Sequence, residues 1–156
     1  MSEDPRPAIQ DDLGAVQTIV RAAYARYVPR IGRAPGPMLD DYRTLIEGGR
    51  VHVLEHDGAV QAILVLLPQD DAMLLDNVAV SPGAQGLGLG RRMLDFAERA
   101  ATEAGYGAVR LYTNEAMTEN VALYRRRDYR ETHRAEEKGL RRVYMIKRID
   151  ERGDRA

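Results

Sequence analysis

The residues best suited to chemistry lie in Gln85-Gly86-Leu87-Gly88-Leu89-Gly90-Arg91-Arg92, just before a segment of helical periodicity that begins at Met93. Gly86, Gly88 and Gly90 lack the Cβ that would hold a ligand off the backbone, and glycine accepts positive φ. The first N–H groups of a helix have no intrahelical partner and sit at the positive end of its dipole. Together these features make an anion site suited to phosphate. Two nucleotide-binding motifs fail here. A Walker A loop ends in Gly-Lys-Ser/Thr, whereas this turn ends Gly90-Arg91-Arg92. A dinucleotide turn is G-x-G-x-x-G after the first strand of a parallel sheet, and this one is G-x-G-x-G after an antiparallel meander.

Other reactive side chains are few. Asp76 alternates onto the face of Val78 and is the nearest carboxylate along the strand that leads into the glycine turn. Glu115 is a second carboxylate candidate, in a loop. Asn120 and Tyr124 are one helical turn apart and share a face. His52 and His56 are spaced by four but fall in a strand and a turn, so no zinc-binding helix is expected and no metal site is assigned. Arg30 and Arg33, near Tyr24 and Tyr27, either bind a carboxylate or phosphate of a small substrate or form a solvated loop beside a core face. With no cysteine in the chain, disulfides, thiolate metal sites and a thiol-borne acyl-enzyme are excluded. Ser2 and Ser81 are the only serines and neither lies in a G-x-S-x-G elbow, which argues against a serine hydrolase.

The elements that must position these residues can be read in order. Pro7–Gln10 is a short first strand, and Asp11 or Asp12 caps a helix whose inner face carries Leu13, Val16, Ile19, Val20, Ala23, Tyr24 and Tyr27. Pro29–Pro37 reads as a loop, and Met38–Glu47 as a short helix ended by Gly48-Gly49. Val51–Glu55 and Ala59–Leu67 form a hairpin around Asp57-Gly58, and Met73–Val80 adds a third antiparallel strand. The helix after the glycine turn runs to about Ala104, and Ala108–Thr113 is then a strand parallel to Met73–Val80 across a right-handed crossover. Glu119–Arg127 is a short helix, and Tyr129–Arg134 with Arg141–Lys147 closes the chain as a hairpin. The fold class expected is α+β, a mixed and mostly antiparallel central sheet flanked by helices.

Composition agrees with one domain: 156 residues, 44% hydrophobic and 30% charged, with a net charge of −1. Residues 1–149 are expected to form that domain and 150–156 a charged tail. The charge balance, one Phe and no Trp argue against a nucleic-acid partner. Met1–Arg6 is polar and unlike a signal peptide, and the longest apolar run, Ala62–Leu67, is too short to span a bilayer. No membrane partner is therefore expected, and the location expected is cytoplasmic.

Gln85-Gly86-Leu87-Gly88-Leu89-Gly90, set after Asn77-Val78-Ala79-Val80, resembles the Gln/Arg-x-x-Gly-x-Gly/Ala motif of the GNAT superfamily of acyl-CoA-dependent N-acyltransferases. Leu111-Tyr112-Thr113-Asn114, then Asn120-Val121-Ala122-Leu123-Tyr124 and Tyr129, is similar to that family's strand, short helix and tyrosine. The resemblance spans about Val51 to Lys147 and implies a GNAT-like fold with acetyl-CoA as co-substrate. It places the CoA pyrophosphate on the N–H groups of Gln85, Gly86, Leu87, Gly88, Leu89 and Gly90, with Arg91 or Arg92 near its charge. It lays the pantetheine arm along the backbone of Val78 and Val80, with Asn120 hydrogen-bonding it. Val78 N–H becomes the donor to the thioester oxygen and Tyr124 the acid for the departing thiolate.

The function implied is N-acetyl transfer from acetyl-CoA to a primary amine by direct attack in a ternary complex. The alternative is a catalytically idle acyl-CoA-binding regulatory module. The base is expected at Asp76; some relatives carry glutamate two residues earlier, where this chain has Leu74. Asp128 stands where relatives usually have glycine before the aromatic residue, and Asp tolerates the left-handed conformation needed there. The acceptor is a small-molecule amine or a peptide, and many relatives form homodimers, often through the C-terminal strands.

Overall fold

The computed structural model describes residues 4–149, so the expected charged tail, 150–156, lies outside the described residues. Seven strands form one sheet in the order β1-β2-β3-β4-β5-β7-β6. They are β1 (Arg6–Pro7), β2 (Val51–His56), β3 (Ala59–Pro68), β4 (Met73–Val80), β5 (Ala108–Asn114), β6 (Arg130–Glu137) and β7 (Leu140–Arg148). Every neighbouring pair is antiparallel except β4 and β5, which run parallel as expected. The helices are α1 (Leu13–Tyr24), α2 (Tyr27–Ile31), α3 (Tyr42–Glu47), α4 (Leu89–Glu103) and α5 (Thr118–Arg126).

Two cores lie on opposite faces of the sheet. Met93, Leu94, Ala97 and Ala101 of α4 pack on Leu64, Leu75, Val109 and Met145. Val16, Ile19 and Val20 of α1 pack on Val53, Ile63, Val65 and Ala79, together with Tyr42 and Ile46 of α3. The inner face of α1 is the one its helical spacing set out, and apolar burial drives the layers together.

Differences from the sequence expectation fall where polar groups reorganise the backbone. The first strand is Arg6–Pro7 rather than Pro7–Gln10. The Asp12 carboxylate accepts from Ile9 N–H at 2.8 Å and from Arg6, which starts a 3₁₀ turn at Gln10. The first helix breaks at Ala25–Arg26, so Tyr27 opens α2, and Pro29 sits in the first turn of that helix, where a missing N–H costs little. The α3 helix begins at Tyr42, not Met38, because Asp41 caps it, accepting from Thr44 N at 3.2 Å.

The Asp57-Gly58 turn has φ of 55° and 82°, the left-handed pair a two-residue hairpin requires. Asp128 adopts φ 72°, and behind it Tyr129 N–H reaches Tyr124 O at 3.0 Å, closing α5 as expected.

Candidate active site

The site is built on the irregular half of β4. In the β3–β4 ladder Val65 pairs with Asn77 but Leu66 pairs with Leu75, so Asp76 is an extra residue, a β-bulge. On the other side β4 pairs with β5 only through Met73, Leu74 and Leu75, and beyond Leu75 the two strands separate. Ser81 N donates to Gln61 O at 2.8 Å, while Val80 and Val78 face Ala62 and Leu64. Hydrogen-bonded and non-bonded pairs alternate along an antiparallel ladder. Val78 and Val80 are therefore non-bonded pairs, and their N–H and C=O groups point away from β3 into the gap.

Two pockets meet at this gap. The larger, about 360 Å³, runs along Val78, Ala79 and Val80 to the glycine turn and is closed by α5 through Asn120, Leu123 and Arg126. Gln85, Gly86, Gly88, Leu89, Gly90 and Arg91 all line it. Gly86 and Gly88 have φ of 88° and 80°, so the positive φ expected of this turn is used at both. Gly88 is the residue before α4, and Leu89, Gly90 and Arg91, the first residues of that helix, line the cleft. Leu87 is 54% exposed and does not line the cleft, and the Leu89 side chain is buried in the α4 core, leaving only its backbone for a ligand. Arg126 was not foreseen, although Glu119, Leu123 and Arg126 form a helical stripe beside Asn120.

The smaller pocket, about 150 Å³, lies on the α1–α3 side and is lined by Asp40, Asp76, Asn77, Tyr112, Tyr124 and Arg142 among others. Tyr24 and Asn120 line both pockets. Asp76 does not share the face of Val78. The bulge turns Asp76 and Asn77 to the same side, into the smaller pocket, while Val78 packs toward α4 and lines the larger one. The simple alternation expected from the sequence is corrected by that one extra residue. Burial pushes the Asp76 carboxyl up to about 7, helped by the Asp40 carboxylate facing it and opposed by Arg142.

Tyr124 is 4% exposed and stacks edge-on against Tyr129 at 5.8 Å between centroids. Burial raises its pKa, which keeps the phenol protonated. Among the described residues its hydroxyl makes no hydrogen bond, whereas those of Tyr24, Tyr42 and Tyr106 all do. Tyr24 Oη donates toward Asn77 Oδ1 at 2.5 Å and Val78 O at 3.1 Å. Asn77 Nδ2 in turn donates to Tyr42 Oη, which donates to Pro37 O at 2.6 Å.

The remaining candidates are engaged elsewhere. Arg30 forms a two-pronged pair with Glu119, at 2.7 and 3.0 Å, and Arg33 donates to Lys138 O at 2.9 Å. Glu115 pairs with Arg141 and Arg134 at 3.3 and 3.6 Å. His52 packs on Phe96, with its pKa lowered by burial. No helix among the described residues is long and apolar enough to cross a membrane.

The fold is shared with acetyltransferases of known structure. The ribosomal-protein-S18-alanine N-acetyltransferase from Escherichia coli matches with a TM-score of 0.74 at 20% identity, covering 94% of each chain. The paia N-acetyltransferase from Thermoplasma acidophilum, in complex with coenzyme A, gives 0.75 at 14% identity over 95% of this chain and 99% of that one. The yncA structure from Salmonella typhimurium with its cofactor acetyl-CoA gives 0.73 at 19% identity, over 96% of this chain and 95% of that one. No curated protein matches the chain. Residues 47–131, more than half of the chain, match the family model described as Acetyltransferase (GNAT) domain. The chain belongs to the GNAT acetyltransferase family.

Proposed function

We propose that this chain moves an acetyl group from acetyl-CoA to a primary amine by direct attack in a ternary complex. The observation that carries the proposal is the meeting of two pockets at the separated strands β4 and β5, one lined by the glycine turn and the other by Asp76 and Tyr124. Acetyl-CoA supplies a thioester. The protein supplies the rest. N–H groups of Gln85, Gly86, Gly88, Leu89 and Gly90, with Arg91 and Arg126, hold the pyrophosphate. Val78 and Val80 offer backbone groups to the amides of the pantetheine arm, as a sheet edge does to an added strand, and Asn120 joins them.

Val78 N–H donates to the acyl oxygen as negative charge develops on it, a contribution of roughly 10²–10³ in rate in other acyl-transfer sites. Asp76 takes a proton from the incoming ammonium, so that a neutral amine attacks. As the C–N bond forms and the C–S bond breaks, Tyr124 delivers its proton to sulfur and is reprotonated by the proton the nitrogen sheds. Asp76 returns its proton to solvent, so one proton is released per turnover.

Thiol release from acetyl-CoA with a panel of amines tests this. Turnover that falls at least ~100-fold in Tyr124→Phe is expected of a general acid. Tight acetyl-CoA binding with no turnover would instead support an idle acyl-CoA-binding module, and turnover unchanged in Tyr124→Phe would remove Tyr124 as the acid.

A further inference from the structure

The smaller pocket is lined by groups beyond those that carry the transfer step. Residues Pro35 to Pro37, between α2 and α3, wall one side of the smaller pocket, and Leu140 and Arg142 of β7 wall the other. The two walls are tied together. Arg33, two residues before Pro35 in the chain, donates to Lys138 O at 2.9 Å in the β6–β7 turn. Its guanidinium also fills the space beside Gly139, where a Cβ would lie 2.9 Å from Arg33 Nη1. On the α5 side Arg30 makes its pair with Glu119. What remains between the two walls is a pocket of about 150 Å³, comparable to a cavity that takes one benzene.

Its charge is equally restrictive. Asp40 and Asp76 both line it and Arg142 is the cation that faces them. Arg142 is already matched, lying 4.5 Å over the Tyr112 ring and 3.4 Å from Glu137. Asp40 and Asp76 hydrogen-bond to each other side chain to side chain, so the pair holds a proton between them and turns a single negative charge to the pocket. An independent sign of a ligand is Tyr124, 96% buried by its 4% exposure, whose hydroxyl has no partner among the described residues and which lines this pocket.

We infer that the acceptor is a small cationic amine without an acidic group, held by Asp40 and Asp76 between walls that Arg33 ties together, and that polypeptides are excluded. The inference rests on the N-acetyltransferase reading above. It makes Asp40 and Arg33 determinants of specificity, Asp40 by touching the ammonium and Arg33 by holding the walls together.

Three acceptors test it with acetyl-CoA saturating: a four-carbon diamine, free alanine and an alanine-led hexapeptide. The wild type should favour the diamine by at least 100-fold in kcat/KM. Asp40→Asn, and Asp40→Ser as a second variant, should raise KM for the diamine at least tenfold while leaving KM for acetyl-CoA in place and the melting temperature no lower. Arg33→Ala should raise kcat/KM for the hexapeptide at least tenfold. Preference of the wild type for alanine or the hexapeptide would overturn the inference, as would an unchanged diamine KM in both Asp40 variants or an unchanged peptide rate in Arg33→Ala. Calorimetric titration with the diamine reads the same selectivity without turnover: binding weakened tenfold by Asp40→Asn supports it, and equal binding refutes it. Diamine binding with no thiol release would refute the transfer reading alone.

Discussion

Replacing Asp76 by Asn is expected to give a protein that is more stable above pH 7 and nearly inert. Burial, with Asp40 opposite, pushes the Asp76 carboxyl up to about 7 in the folded state, against the attraction of Arg142. In the unfolded chain an aspartate titrates near 3.9. The folded protein holds the proton more tightly, so the stabilisation from that proton is complete below about pH 4 and is lost as pH rises through about 7. Three decades separate the two values, which at 1.36 kcal/mol per decade sets a ceiling of about 4 kcal/mol on what ionised Asp76 costs at pH 8. Asn stays neutral but gives up the attraction of Arg142, so the net gain expected is about 1–3 kcal/mol. For a chain of this length that is a rise of roughly 3–10 °C in melting temperature. Activity should move the other way, by the roughly 10²–10⁴-fold that a general base contributes. Wild-type kcat/KM should climb with pH to a limb near 7, and the variant should lack that limb. Melting curves at pH 5 and pH 8 with thiol-release kinetics between them decide it. The reasoning fails if Asp76→Asn is less stable than wild type at pH 8, or keeps both its rate and the limb.

Asp40→Asn should move the acidic limb of kcat/KM to lower pH, because the Asp40 charge raises Asp76, yet not to the free-aspartate value, because burial persists; the pH profile reads both. Gly88→Ala places a Cβ on a residue at φ 80°, at a cost of about 1–2 kcal/mol. Chemical denaturation should show that loss, and calorimetry should show weaker acetyl-CoA binding. Asn77→Ala should destabilise by about 1–3 kcal/mol, measured by denaturant titration, since it strips partners from the buried hydroxyls of Tyr24 and Tyr42.

The elements with strong period or strong turn chemistry were legible. Met73–Val80 falls where it was expected, α4 ends within a residue of its expected limit, and Asp57-Gly58 makes its hairpin. These are local effects of side-chain alternation, helical spacing and positive φ. The N-terminal half was read less well because its boundaries are set at a distance. Arg6 reaches Glu55, forty-nine residues away, as well as Asp12, and no periodicity reports such a contact. In the site, the glycine turn, Asn120 and Tyr124 were legible as motifs. Asp40 was not, because an aspartate in a proline-rich stretch gives no sign that its carboxyl will meet that of Asp76 in a pocket. Arg30 and Arg33 were seen as cations beside tyrosines, and the reading of a solvated loop beside a core face agrees with their exposure and with the burial of Tyr24 and Tyr27. They are straps between loops rather than free ligands for a substrate anion.

The bulge ties these observations together. A strand of regular alternation would put Asp76 and Val78 on one face and leave Asn77 on the other. The inserted residue instead sends Asp76 and Asn77 toward α1 and α3 while Val78 stays with α4, so the carboxylate reaches one pocket and the Val78 backbone lines the other. Bulges also bend and twist a strand, and here the pairing with β5 stops at Leu75, immediately before the insertion. Meanwhile β5 keeps β7 as a partner along its whole length, so it has no need to follow β4. The Tyr24–Asn77–Tyr42 chain pins the distorted segment to α1, to α3 and, through Pro37, to the wall of the smaller pocket. Strand separation, free backbone donors at Val78 and Val80, and a carboxylate delivered across the strand therefore follow from one extra residue. Its signature is absent from the hydrophobic pattern because Asp76 sits where a polar residue would also fit a regular strand.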